Sequence, residues 1–296
     1  MRLAPESTQL LFWSALTHDI GMMHLSLDSP LGVEQVSADE WLYQQSHVYI
    51  SCQVLRRETD FSDDLIVAVS EHHERCDGTG YPEGKVESEI SLYGQILGLA
   101  DSIVGIYYNR FRAKGLRWRE IIPVLELNKA AYLHRSCEII EKMILRSELP
   151  LANVVEGSQV PEFAEKMLAQ NKHLQLWFDA LYEALMGVGF THGDRKLHSL
   201  QNVLLHIATT FKGSLLFEEG LRESIADFAA SKELSISTLM EQVALNQQEM
   251  GFHLHRVSRM LLGYLESDVC ANRTIRDKLL KHFQTSISGF LRKPPL

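Results

Sequence analysis

Six side chains interrupt otherwise apolar stretches of this 296-residue chain with groups that ligate metals or carry protons. They are His18 and Asp19, His47, His72 and His73, and Asp101. Asp19 follows an uncharged run, and Asp101 is the only charged residue between Leu92 and Tyr108. A carboxylate in such a setting must be paired or coordinated, because an isolated buried charge is costly. Taken singly, each feature has a plain explanation. His18-Asp19 reads as a helix terminus, His47 as a core-edge histidine, His72-His73 as surface residues before a turn, and Asp101 as half of a salt bridge. Together those explanations require four independent coincidences. The joint alternative is a cluster of four imidazoles and two carboxylates. Such a donor set suits two divalent ions, Fe, Mn, Ni or Zn, bridged by a carboxylate. Two ions so held would place a hydroxide against a phosphorus and take up charge on the departing oxygen.

Helices must position these groups. Apolar residues recur at helical spacing in segments 7–17, 40–57, 63–75, 91–108 and 118–145;. The pattern continues at 161–188, 195–211, 216–230, 235–267 and 273–291. No alternation is strong enough for a sheet, so the expected class is all-α. Adjacent histidines on a regular helix point about 100° apart, so His72 and His73 can share a centre only where their helix abuts it. The run Asp77-Gly78-Thr79-Gly80-Tyr81-Pro82 after them predicts a tight, preset loop. A Pro-containing shift in composition across 147–161 predicts a boundary between domains 1–149 and 150–296.

Composition narrows the class further. With 45% hydrophobic and 23% charged residues, the chain is neither disordered in bulk nor fibrous;. No apolar run reaches the roughly 18 residues of a membrane span. Cys52, Cys76, Cys137 and Cys270 are scattered and read as reduced thiols, which predicts a cytoplasmic protein;. A formal charge of −9 argues against a nucleic-acid polymer as partner;. Yet residues 102–119 hold no acid and five bases, Arg110, Arg112, Lys114, Arg117 and Arg119. Arginine suits bidentate phosphate contact. For Arg117 and Arg119 a solvated turn is the better reading.

The order HD, a lone His, HHERCDGTGYP and then AD followed nine residues later by Arg resembles the HD-GYP subgroup of the HD phosphohydrolase superfamily. The resemblance covers residues 5–145. It implies an HD-type helical domain with two divalent metal ions, hydrolysing cyclic di-GMP to pGpG or GMP. Carried onto this sequence, it makes His18, Asp19, His47, His72, His73 and Asp101 metal ligands, with Asp19 the bridge and the catalytic centre. Gly80, Tyr81 and Pro82 would form the loop that names the subgroup. Arg110 matches a position that contacts substrate phosphate, and Arg112 and Lys114 are weaker candidates. Two departures stand out. Met22 occupies the place of a lysine that assists the scissile phosphate, and no histidine precedes His18, as if the family's first helix were missing. The leading expectation is therefore a cyclic di-GMP phosphodiesterase. A degenerate module that binds the dinucleotide or a protein without turnover is the alternative, and a phosphohydrolase for another nucleotide ranks third.

The second half predicts a helical domain with no chemistry of its own. His253 and His255 face different ways on a helix, and His192-Gly193-Asp194 fits a helix-to-helix turn. The long apolar segment 235–267 could dock on the first domain or form a dimer seam, so a protein partner or self-association would run through these helices.

Overall fold

A computed structural model describes residues 3–26, 38–147, 160–212, 234–266 and 272–291. Among them the chain is all-α, as expected, and its only β feature is an isolated bridge between Asp77 and Val86. The expected helix at 216–230 lies outside the described residues. The chain divides into two compact units. The first comprises 1–113 with 128–143, and the second 114–127 with 144–296. Segment 114–127 therefore groups with the second unit, unlike a single cut near residue 149.

In the first unit, α1 (Pro5–Thr17) starts with proline in its first turn, where the missing N–H costs nothing;. A 3-10 turn, Ile20–His24, follows it. The next helices are α2 (Ala38–Glu58), α3 (Asp63–Glu71) and α4 (Leu92–Ile106). Asp63 and Asp64 complement the positive end of α3;. Ser91 caps α4, its Oγ accepting from Gly94 N at 3.0 Å;. A small core of Cys52, Leu55, Leu65, Ile66 and Val69 joins α2 to α3. α6 (His134–Arg146) belongs mainly to this unit.

Two glycines set how closely these elements meet. A methyl group on Gly21 would collide with the His47 carbonyl and with Ser51, so the 3-10 turn lies directly on α2. Gly21 N also donates to Ser51 Oγ at 2.9 Å. A methyl group on Gly98 would meet the His72 carbonyl, so α4 lies directly against the end of α3. The first contact delivers Asp19 to His47. The second delivers Asp101, one turn further along α4, to the histidine pair.

The second unit has its own larger core. It contains α5 (Ile121–Leu127), α7 (Val160–Met186), α8 (Arg195–Lys212), α9 (Leu234–Glu266) and α10 (Arg273–His282), which a π-helical turn continues. α9 spends its apolar face, including Met250, Leu254, Val257 and Leu261, inside this core. Asp194 Oδ1 caps α8 through Lys196 N and Leu197 N, so His192-Gly193-Asp194 is the expected turn. His253 is buried beside Glu249.

Gly21→Ala should cost about 1–3 kcal/mol of unfolding free energy, the usual range for an overpacked site. Gly263, inside α9 with open space where a methyl group would sit, is the control. Gly263→Ala should be neutral or stabilise by up to about 1 kcal/mol. Urea unfolding of the full chain checks both.

Candidate metal centre

Three histidines share one local device. His18 Nδ1 donates to Ala15 O at 2.9 Å, His47 Nδ1 to Gln44 O at 2.5 Å, and His72 Nδ1 to Val69 O at 2.6 Å. In each case the acceptor is the carbonyl three residues back. His18 and His72 sit at the C-terminal caps of α1 and α3, where carbonyls lack helical partners;. A carbonyl can only accept, so each Nδ1 carries hydrogen, and Nε2 presents a lone pair wherever the ring is neutral.

All three Nε2 atoms surround the Asp19 carboxylate. His18 Nε2 lies 3.4 Å from Oδ2, and His47 and His72 Nε2 lie 3.3 and 3.6 Å from Oδ1. Asp101 closes the other side, with Oδ1 3.6 Å from His18 Nε2 and Oδ2 3.8 Å from His73 Nδ1. His73 Nε2 sits 3.1 Å from His47 Nε2. The six residues singled out in the sequence thus meet at one place.

The expected helix 63–75 ends earlier, at Glu71, and this corrects the picture of two histidines diverging on a helix. His72 and His73 lie in the turn beyond it, with ring centroids 4.0 Å apart at 43°. Leaving the helix removes the divergence and lets both rings face the same carboxylates.

The donor chemistry fits a divalent cation. Ligand atoms of Asp19, His47, His72 and His73 all lie within 4.8 Å of one another. Ions held by bonds of about 2.1 Å need donors only slightly closer. His72 Nε2 is buried and has no hydrogen-bond partner. Lone pairs of nitrogen and carboxylate aimed at each other repel unless a proton or a cation lies between them.

In the metal-free protein a proton takes that place. Burial works against a charged His18, but Asp101 and Asp19 prevail and push its pKa up to about 10. Burial would raise the Asp19 pKa, but the charged His18 ring beside it holds it far below the usual range. Burial, with His72, Arg75 and His47 nearby, keeps His73 neutral.

The loop residues also reach the centre. Tyr81 stacks on His73 at 4.6 Å and 28°, and stands nearly perpendicular to the His47 ring at 6.5 Å. Gly80 lies on the backbone of Glu74 and Arg75, too close for any side chain. Pro82 is exposed. Arg110 is half-buried in the π-helical turn Tyr107–Phe111 that continues α4, and Arg112 lies over the Tyr108 ring at 5.6 Å. The Lys114 side chain lies outside the described residues. Sequence reasoning missed Glu71 and Lys85, whose ion pair depends on the path of the loop.

Residues 1–137 match a family model described as HD domain. A 3'3'-cGAMP-specific phosphodiesterase 3 of Vibrio cholerae is 31% identical over 156 residues, covering 52% of this chain and 32% of that protein. A cyclic di-GMP phosphodiesterase of the same organism is 32% identical over 105 residues, 33% of this chain and 21% of the relative. A cyclic di-GMP phosphodiesterase of Thermotoga maritima is 33% identical over 91 residues, 30% of this chain and 25% of the relative. The chain therefore spans about a third or less of each of these proteins. No solved structure matches it. Among the described residues, no helix is long and apolar enough to cross a membrane.

The proton on His18 gives a pH signature. A raised pKa contributes stability that is complete below the unfolded value of 6.5 and is lost as pH rises through about 10;. Metal-free protein should therefore melt at a lower temperature at pH 9.5 than at pH 6.5. Protein loaded with zinc should lack that loss, because a cation replaces the proton. Calorimetry of both forms checks this.

Proposed function

We propose, from the match of residues 1–137 to the HD domain model, that the chain is an HD-GYP-type, metal-dependent phosphodiesterase of cyclic dinucleotides, hydrolysing cyclic di-GMP to pGpG or GMP. The observation that carries this reading is the ring of histidine Nε2 atoms around Asp19, with Asp101 opposite. Relatives named for cyclic di-GMP and 3'3'-cGAMP support the substrate class.

His18, Asp19, His47, His72, His73 and Asp101 would hold two divalent ions, Asp19 bridging them. Ions in such a site supply charge stabilisation at phosphoryl oxygens and a nucleophile at neutral pH. The chain's own residues do the rest. The three carbonyl bonds keep the Nε2 atoms directed inward, so the rings need not turn to meet an ion. Asp19 is half-exposed, so the carboxylate at the middle of the cluster is open to an entering ester. Tyr81 lays its ring face on His73 and walls that side of the donors. Arg110 would bind a substrate phosphate as a bidentate donor, with Arg112 and Lys114 contributing charge.

One observation favours a second reading, a dinucleotide-binding module with weak or no turnover. Position 22, in the 3-10 turn directly after Asp19 and Gly21, is methionine. A thioether neither donates to a phosphate oxygen nor offsets developing charge. One such contact is typically worth about 10²–10³ in rate.

Asp19→Ala should release metal and abolish turnover. Arg110→Ala should retain metal and raise KM, and equal metal loss in the two variants would contradict these roles. Met22→Lys should speed turnover at unchanged metal content. If wild-type protein holds two ions per chain and Met22→Lys brings no gain, the lysine argument fails. Elemental analysis with product assays on cyclic di-GMP and 3'3'-cGAMP reads all three variants.

A further inference from the structure

Glu71 and Glu74 flank the paired histidines and are both buried, at 3% and 5% exposure. Neither touches the Asp19 cluster. Their four oxygens instead hold the loop that follows. Glu74 Oε1 accepts from Glu83 N at 2.7 Å and Oε2 from Lys85 N at 2.9 Å. Glu71 Oε1 accepts from Lys85 Nζ at 2.9 Å and Oε2 from Ser91 N at 2.8 Å. The loop is closed below by the Asp77–Val86 bridge and tightened at its start by Asp77 Oδ1, which accepts from Thr79 N and Oγ1. Gly80 rests on the Glu74–Arg75 backbone, and Tyr81 N donates to His73 O at 3.1 Å.

These contacts have one geometric consequence. Residues 80–85 are folded back over 73–75, and that places the Tyr81 ring on the His73 imidazole. The carboxylates are the outer fasteners of this fold-back, because Glu74 fixes residues 83 and 85, beyond Tyr81. A buried carboxylate saturated by backbone N–H groups is a costly arrangement to lose. A loop needing only closure would have that from the Asp77–Val86 bridge.

We propose that Glu74, backed by Glu71 through Lys85, is a positioning residue that sets the height of Tyr81 over His73 and so the width of the site a phosphate ester enters. The kinetic part rests on the phosphodiesterase reading; the geometric part does not.

Glu74→Gln keeps size and shape but turns an amide N–H toward a backbone N–H, opening one fastener. NMR of the full chain with labelled histidine reads the geometry, because a stacked tyrosine shifts the His73 ring protons. In Glu74→Gln that shift should collapse toward its value in Tyr81→Leu, and the Glu83 and Lys85 amides should exchange about tenfold faster. Metal content should be unchanged, and KM for cyclic di-GMP should rise more than kcat falls. An unaltered His73 shift overturns the proposal, as does metal loss with the loop amides still protected. Should Glu74→Gln fail to fold, Lys85→Met carries the same test: it opens the Glu71 side alone, and an unaltered His73 shift again counts against the clasp. If wild-type protein turns over no cyclic dinucleotide, the phosphodiesterase reading falls, while the ring shift still judges the clasp.

Discussion

The structure of the first unit depends on three hydrogen bonds from imidazole Nδ1 to a backbone carbonyl three residues earlier. They keep a hydrogen on Nδ1 of His18, His47 and His72 and direct three Nε2 atoms at the Asp19 carboxylate. Lone pairs aimed at a carboxylate are unfavourable without a positive charge among them. Without metal, a proton on His18 supplies it. A divalent cation supplies more, and the donor set is already in place to receive it.

Everything else in the unit serves that convergence. Gly21 lets the turn after α1 rest on α2, and Gly98 lets α4 rest on the carbonyl of His72. Each close approach brings one carboxylate to the histidines. Helix α3 stops at Glu71, so His72 and His73 leave the helical path and turn together. The same stop places Glu71 and Glu74 where they can hold the Gly-Tyr-Pro loop. The end of one helix thus sets both a donor pair and the aromatic wall beside it.

Much of this was legible in the sequence, for physical reasons. Helical period marked the helices, because their apolar faces are buried. The six donors stood out because charge and imidazole are rare within apolar runs. Other features were hidden. The early end of α3 was masked by His72, His73, Glu74 and Arg75, which would equally continue a helix, while its last residue, Glu71, bonds Lys85 and Ser91, distant in sequence. The carbonyl bonds of the histidines left no signal, since every residue carries a carbonyl. The local setting of the basic run after Asp101 was hidden too: Arg110 lies in a π-helical turn and Arg112 over the Tyr108 ring. The place of segment 114–127 within the second unit was likewise hidden, because helix period does not say which core a helix joins.

The central claim is that inward-facing Nε2 atoms of His18, His47 and His72 form a metal centre around Asp19. Long-range proton–nitrogen NMR of histidine-labelled chain, titrated with zinc, tests it most directly. The account predicts that all three rings carry hydrogen on Nδ1 in the loaded protein, with the Nε2 resonances displaced by metal binding. Rings still protonated on Nε2 in the zinc-loaded protein, or Nε2 resonances that zinc leaves unmoved, would contradict it.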